Sequence, residues 1–323
     1  MSTDFRPDQL LLPALRKARH MVTAHLFRDR GGADTPTVVV AGVARSGTTW
    51  LGEVLAACGP ARMMFEPFHA RRVTAYRHFE YLQYLRPESD GPELLSFADE
   101  VLRGRVRDPG WIDKNAEHLN PRMRVVKDVR ICMFLRWLSD RFPDVPMIYI
   151  VRHPCAVVGS CMQLGWTMEY DLRSVLSQPE LIEDHLESRV EWLRGLRDPL
   201  EQIAAAWCIQ NLVALRQLRG SRVPVVFYED MVRDPERVLP GVYDAARLEF
   251  DPAVLDVVGR HSSTVTRGSP LRSGEDPTSA WTRRMRPEQI QSVLEIVESF
   301  GLDSLYAGSD PALDADDLRA MEF

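Results

Sequence analysis

"VVVAGVARSGTTWL", residues 38–51, runs from a β-branched stretch through a glycine-containing turn into the start of a helix. A continuous apolar, β-branched run reads as a strand buried on both faces, the habit of parallel sheets. Gly42, four residues, Gly47 and Thr49 match the spacing G-x-x-x-x-G-K-[ST] of a phosphate-binding loop. Thr48 stands where that pattern has its lysine. The backbone amides of residues 43–49 and the helix N-terminus after them predict an anion cradle, with Arg45, Ser46, Thr48 and Thr49 adding side-chain donors. The missing lysine is the residue that reaches the β- and γ-phosphates, so a nucleoside triphosphate is not the expected ligand.

Further strands are expected at ARMMF (61–65), RVVK (124–127), PMIYIV (146–151) and VPVVFY (223–228). Helices are expected over 7–28, 48–59, 74–85, 93–103, 132–143 and from Pro154 onward. Two more span 179–219, broken at RDPL, and others lie near 234–246, 252–258 and 287–299. Strands alternating with helices predict an α/β, three-layer, P-loop-containing fold whose central, mostly parallel sheet of about five strands is flanked by helices. One domain is expected across 1–323, with a helical extension at 1–35, a Gly/Pro/Ser/Arg-rich loop at 262–286 and an acidic tail at 308–323. In such sheets ligands sit at the carboxyl ends of strands, where the sequence places Glu66, Lys127, Arg152 and Tyr228. None is an aspartate of the kind that holds Mg²⁺ in metal-dependent phosphoryl transfer.

The 323 residues are 45% hydrophobic and 27% charged, as in an ordinary soluble globular protein. A net charge of −6 gives no reason to expect nucleic acid. The longest apolar run, VVVAGVA, is too short to span a membrane, and no secretory leader is evident, so a cytoplasmic protein is expected. Five cysteines without C-x-x-C spacing suggest free thiols rather than a metal site. Lysine occurs only at 17, 114 and 127 among forty basic residues, which makes Lys127, at the end of an apolar strand, conspicuous.

Five stretches in order carry a family resemblance: RSGTTWL, WIDKNAEHL, YIVRHPCAVVGS, VVFYEDMVRDPERVL and LRSGEDPTSAWTRRMRPEQI. Together they resemble the sulfotransferases that use 3′-phosphoadenosine 5′-phosphosulfate (PAPS), over about residues 37–300. The resemblance implies that residues 45–49 hold the 5′-phosphosulfate, and that Arg152 and Ser160 hold the 3′-phosphate with Arg272 of the late loop, flanked by Ser273 and Gly274. Arg283 and Arg284 are alternatives for Arg272. Trp50 would stack on adenine and Tyr228 would lie beside it. The product would be adenosine 3′,5′-bisphosphate, and no metal is required.

Sulfuryl transfer needs a base for the acceptor hydroxyl and positive charge on the departing phosphate. The histidine of the cytosolic phenol and steroid enzymes is replaced by Val129 in VVKDVR. MFEPFH resembles the E-P-x-x-H stretch of carbohydrate sulfotransferases, which makes Glu66 the expected base and His69 the second choice. Lys127 is expected to stabilise the leaving group, with Lys114 and Arg130 as alternatives and Asp128 orienting its neighbours. The acceptor is expected to be a small molecule, carbohydrate or glycosylated, bound by segments 66–122 and 163–200 with Tyr76, Phe79, Tyr81, Tyr84, Trp111, Trp166, Tyr170 and Trp192. A P-loop small-molecule kinase and an inactive nucleotide-binding regulator are the competing readings. The family's dimerisation signature is absent after Trp281, so the sequence specifies no oligomeric state.

Overall fold

The computed structural model describes residues 8–29, 35–166, 172–258 and 275–313. Five parallel strands form the sheet: β1 (Thr37–Ala41), β2 (Ala61–Phe65), β3 (Met123–Asp128), β4 (Met147–Val151) and β5 (Val225–Phe227). Their order is β2-β3-β1-β4-β5. From β1 the chain visits one side of the sheet and then crosses to the other, so the carboxyl ends of β3, β1 and β4 flank a topological switch point.

Each strand alternates its side chains between two apolar layers. Val38 and Val40 join the layer of α2 (Thr48–Ala56), with Leu51, Val54 and Leu55. Val39 and Ala41 face the opposite layer, which also receives helices α3 (Pro92–Leu102), α4 (Leu135–Arg141), α5 (Pro154–Leu164), α6 (Pro199–Leu218) and α9 (Pro287–Ser299). Sixteen of the twenty α6 residues are buried, which explains a helix apolar nearly all round. After β5 come α7 (Tyr228–Arg233) and α8 (Pro235–Ala245).

The first helix, α1 (Asp8–Leu26), packs through His20, Thr23 and Ala24, with Phe27 buried just after it, whereas Leu15, Val22 and Leu26 stay exposed. Just past it, Asp29 receives Arg124 through Nε (2.6 Å) and Nη2 (2.7 Å), and Arg62 Nη1 at 3.1 Å. Arg62 and Arg124 are register partners on β2 and β3, and the two neighbouring guanidiniums are answered by two carboxylates, Asp29 between them and the buried Asp113, which accepts from Arg62 Nε at 2.9 Å. Burial alone would raise the Asp29 carboxyl, but these arginines hold it below the usual carboxylate range.

The chain departs from expectation in three places. Residues 74–85 are not a helix. Only a 3-10 turn, Thr74–Tyr76, forms, and the chain then winds over the core. Tyr76, Tyr81 and Tyr84 bury their rings one by one against Phe68, Phe97 and other neighbours, and this packing overrides the helical spacing of the aromatics. Across 179–195 the first expected helix is split into short α, π and 3-10 turns. The opening of the expected acidic tail is anchored: the Gly308 carbonyl accepts from His153 Nε2 at 2.9 Å, and Asp310 pairs with Arg233.

Candidate active site

The loop between β1 and α2 is shaped by two glycines. A Cβ on Gly42 would collide with the Ile150 carbonyl oxygen of β4. Gly47 has φ +94°, and a Cβ there would lie 2.5 Å from the Tyr228 ring. Arg45 also lies in the left-handed region, at φ +70°. A non-glycine residue there costs on the order of 1–3 kcal/mol and persists only where surrounding contacts enforce it. Here they do: Arg45 Nε donates to Ser160 Oγ (3.0 Å) and the Arg45 carbonyl accepts from Arg152 Nη1 (3.0 Å). Its guanidinium also lies over Trp166. The two expected anion cradles are therefore contiguous, with Arg45 and Ser160 bonded to each other.

Arg152 leaves the end of β4, donates through Nη2 to the Pro277 carbonyl (2.8 Å), and lies 4.2 Å from the Tyr228 ring centroid. Trp50 packs edge-on to Tyr228 and donates Nε1 to the Val258 carbonyl (3.2 Å). Both rings line the cavity. Of the late-loop candidates, Arg272, Ser273 and Gly274 lie outside the described residues. Arg284 reaches the cavity and pairs with Glu275 at 2.7 Å, whereas Arg283 does not line it.

Glu66 follows β2 directly and is held at φ +46°. Its amide donates to the Lys127 carbonyl (2.7 Å) and its carbonyl accepts from Trp111 Nε1 (3.2 Å). The carboxylate pairs with Lys127 Nζ, and both side chains are at least nine-tenths buried. Burial would raise the Glu66 carboxyl, but Lys127, Arg130 and His69 hold it below the usual range. Asp128 lies behind the pair, wholly buried, and accepts from the amides of Phe68 and Arg130, both at 2.8 Å. It thereby ties the turn after β2 to the turn after β3. Burial and the nearby Glu66 raise its own carboxyl to about 7.

His69 is buried edge-on between Tyr81 and Trp111 and borders the same cavity. Lys114, burial-lowered to about 8, sits over Phe65 and Trp111 at 3.4 and 3.9 Å from the ring centroids. Glu66, His69, Lys114, Lys127 and Arg130 line, together with the loop residues, one cavity of about 910 Å³ at the carboxyl ends of β1 to β4, with Asp128 outside its lining. Ser46 is buried beneath the loop and does not line it. Among the expected acceptor aromatics, Trp111 and Trp166 line the cavity, Tyr76 and Tyr84 are core, and Tyr170 lies outside the described residues. Arg72 and Trp281 were not legible as cavity residues; only contacts across the fold bring them there. Trp281 stacks on His153, 4.3 Å between centroids, beneath the start of α5.

Residues 36–252, well over half of the chain, match the family model described as the sulfotransferase family. The chain belongs to that family. It is 25% identical over 273 residues to nodulation protein NoeE of Sinorhizobium fredii (strain NBRC 101917 / NGR234). That alignment covers 79% of this chain and 62% of the relative, so this sulfotransferase spans less than two thirds of the relative's length. Among solved structures it is similar to a sulfotransferase domain from the curacin biosynthetic pathway: 19% identity, 82% of this chain and 98% of that one, TM-score 0.44. A mouse sulfotransferase, SULT7A1, complexed with PAP, is 14% identical, covering 90% of this chain and 91% of that one, TM-score 0.44. No helix among the described residues is long and apolar enough to cross a membrane.

Proposed function

We propose that this sulfotransferase transfers the sulfuryl group of PAPS to a hydroxyl of a small-molecule acceptor, carbohydrate or glycosylated, without a metal and with Glu66 as base. The observation that carries this reading is the buried Glu66–Lys127 pair, which borders the same cavity as the phosphate loop. The loop side suits an anionic nucleotide. Arg152, which lines the cavity, has its Nε buried without a hydrogen-bond partner, a costly arrangement unless something charged or polar answers it.

PAPS, when bound, supplies the sulfuryl group and a phosphate that takes up the bonding electrons as it departs. The 43–49 amides and the α2 N-terminus hold the 5′ end, whereas Arg152, Ser160 and a late-loop arginine hold the 3′ end. Trp50 and Tyr228 form the wall for the adenine. Lys127 holds Glu66 ionised and so ready to accept a proton. Once Lys127 turns toward the departing negative charge, Glu66 loses its main counter-ion and becomes more basic. Oε2, the oxygen not bonded to Lys127, accepts the acceptor's proton. Asp128 keeps the two turns in register, and Trp111 fixes the Glu66 carbonyl.

Calorimetric titration tests the reading. Metal-free binding of adenosine 3′,5′-bisphosphate at micromolar affinity is the expected result. Binding of ATP·Mg²⁺ with no bisphosphate binding would overturn it and favour a kinase.

A further inference from the structure

After α9 the chain forms a small antiparallel hairpin, Tyr306–Ala307 against Asp310–Pro311. Two strands this short do not hold together alone, so the hairpin depends on what it packs against. It is fastened at three points. The Gly308 carbonyl at its turn accepts from His153 Nε2 at 2.9 Å, the Tyr306 hydroxyl donates to Glu229 at 3.2 Å, and Asp310 pairs with Arg233. None of the residues 306–311, nor Glu229 or Arg233, lines the cavity.

All three fastenings lead to Arg152. His153 is the next residue in the chain, and its amide donates to the fully buried Glu229 at 3.1 Å. One carboxylate therefore joins the hairpin to the backbone directly after Arg152. Arg233 extends the third link: Nη1 meets Asp310, and Nη2 donates to Thr278 Oγ1 at 3.0 Å. Thr278 is fully buried, and its amide donates to Asp276 at 2.9 Å. Between Asp276 and Thr278 stands Pro277, whose carbonyl receives Arg152 Nη2 at 2.8 Å.

A guanidinium is a rigid planar fork of five N–H donors, so two fixed acceptors set its whole plane. For Arg152 these acceptors are the carbonyls of Arg45 and Pro277, on separate segments. Its remaining donors, the buried and unpartnered Nε among them, are aimed by those two carbonyls. Resting on the sulfuryl-transfer reading, in which Arg152 holds the donor's 3′-phosphate, we propose that the 306–311 hairpin, Glu229 and Arg233 are positioning elements for that phosphate. They fix Pro277 and the start of α5, and Arg152 carries their effect into the cavity.

The test compares two nucleotides that differ only in this group, adenosine 3′,5′-bisphosphate and adenosine 5′-monophosphate, by calorimetric titration of the full chain. Wild type should bind the bisphosphate roughly 10- to 100-fold more tightly, the worth of one charge-assisted contact. Arg233→Met drops the contacts to both Asp310 and Thr278. The ratio should then shrink about fivefold, because a hydrogen bond aimed off line keeps only part of its strength. Arg233→Lys cannot hold both partners and should keep part of the ratio. Tyr306→Phe, on the separate path through Glu229, should shrink it about threefold. Monophosphate affinity should stay within about twofold in all three variants, since only the 3′ contact is misaimed. Urea midpoints, read alongside, establish that each variant is folded.

A ratio unchanged in both Arg233→Met and Tyr306→Phe would overturn the proposal. So would equal weakening of the two nucleotides, the mark of a general loosening, or a wild type that binds them equally. Failure of wild type to bind the bisphosphate at all would instead strike the sulfuryl-transfer reading beneath it.

Discussion

Replacing Glu66 by glutamine tests the centre of the proposed mechanism, because it keeps the shape and removes only the charge. Lys127 is 4% exposed, and Arg130, Lys114 and His69 face the same place. Removing one partner of a buried ion pair costs about 3–5 kcal/mol. Glutamine still offers an acceptor oxygen to Lys127, so a loss near the lower end, about 3 kcal/mol, is expected in urea denaturation. Turnover measured with labelled donor should fall by roughly 10²–10⁴, the usual contribution of a general base. Bisphosphate affinity measured by calorimetry should hold within a few-fold, because the proposed nucleotide cradle is built at the ends of β1 and β4, whereas Glu66 follows β2. Turnover within threefold of wild type would refute Glu66 as base and move the role first to His69. A large loss of bisphosphate affinity alongside inactive protein would instead show that the substitution collapsed the cavity.

Gly47→Ala should abolish bisphosphate binding and destabilise the fold by about 2 kcal/mol or more, because a Cβ at φ +94° meets the Tyr228 ring; calorimetry and urea midpoints read both effects. Arg152→Lys keeps the charge but cannot reach the Arg45 and Pro277 carbonyls together, so bisphosphate affinity should drop at least about tenfold. His153 is buried and its imidazole is pushed down to about 4 from an ordinary 6.5. The unfolded chain therefore takes up a proton below pH 6.5 that the folded one refuses until about pH 4, and stability is lost as pH falls through that window. The full effect is about 3 kcal/mol. Denaturation midpoints of wild type and His153→Gln should converge toward pH 4, and parallel curves would contradict the reasoning.

Much of this site is written in local sequence. The strands at 37–41, 61–65, 123–128, 147–151 and 225–227 are apolar runs with clear boundaries, so the residues that follow them fall where the sheet topology places a ligand. That brought Glu66, Lys127, Arg152 and Tyr228 to one cavity. The Arg45–Ser160 bond, by contrast, joins residues 115 apart, and nothing nearby in sequence encodes it. The same holds for Arg72, which meets the Trp111 ring across 39 residues of chain, and for the following segment 74–85, which sequence periodicity presents as helix. Tertiary burial of single aromatic rings decided that segment, and periodicity does not register such burial.

Asp29 carries a consequence for synthesis on the ribosome. It emerges early, yet its partner Arg124 is translated 95 residues later. Until then Arg62 of β2 has its carboxylates Asp29 and Asp113 but no neighbouring strand β3, and the first helix has no completed seat. The N-terminal segment must therefore wait, unanchored, while the first half of the sheet is made. A nascent chain halted before residue 124 should be protease-sensitive at both ends of β2, and one released past β3 should become resistant at both together.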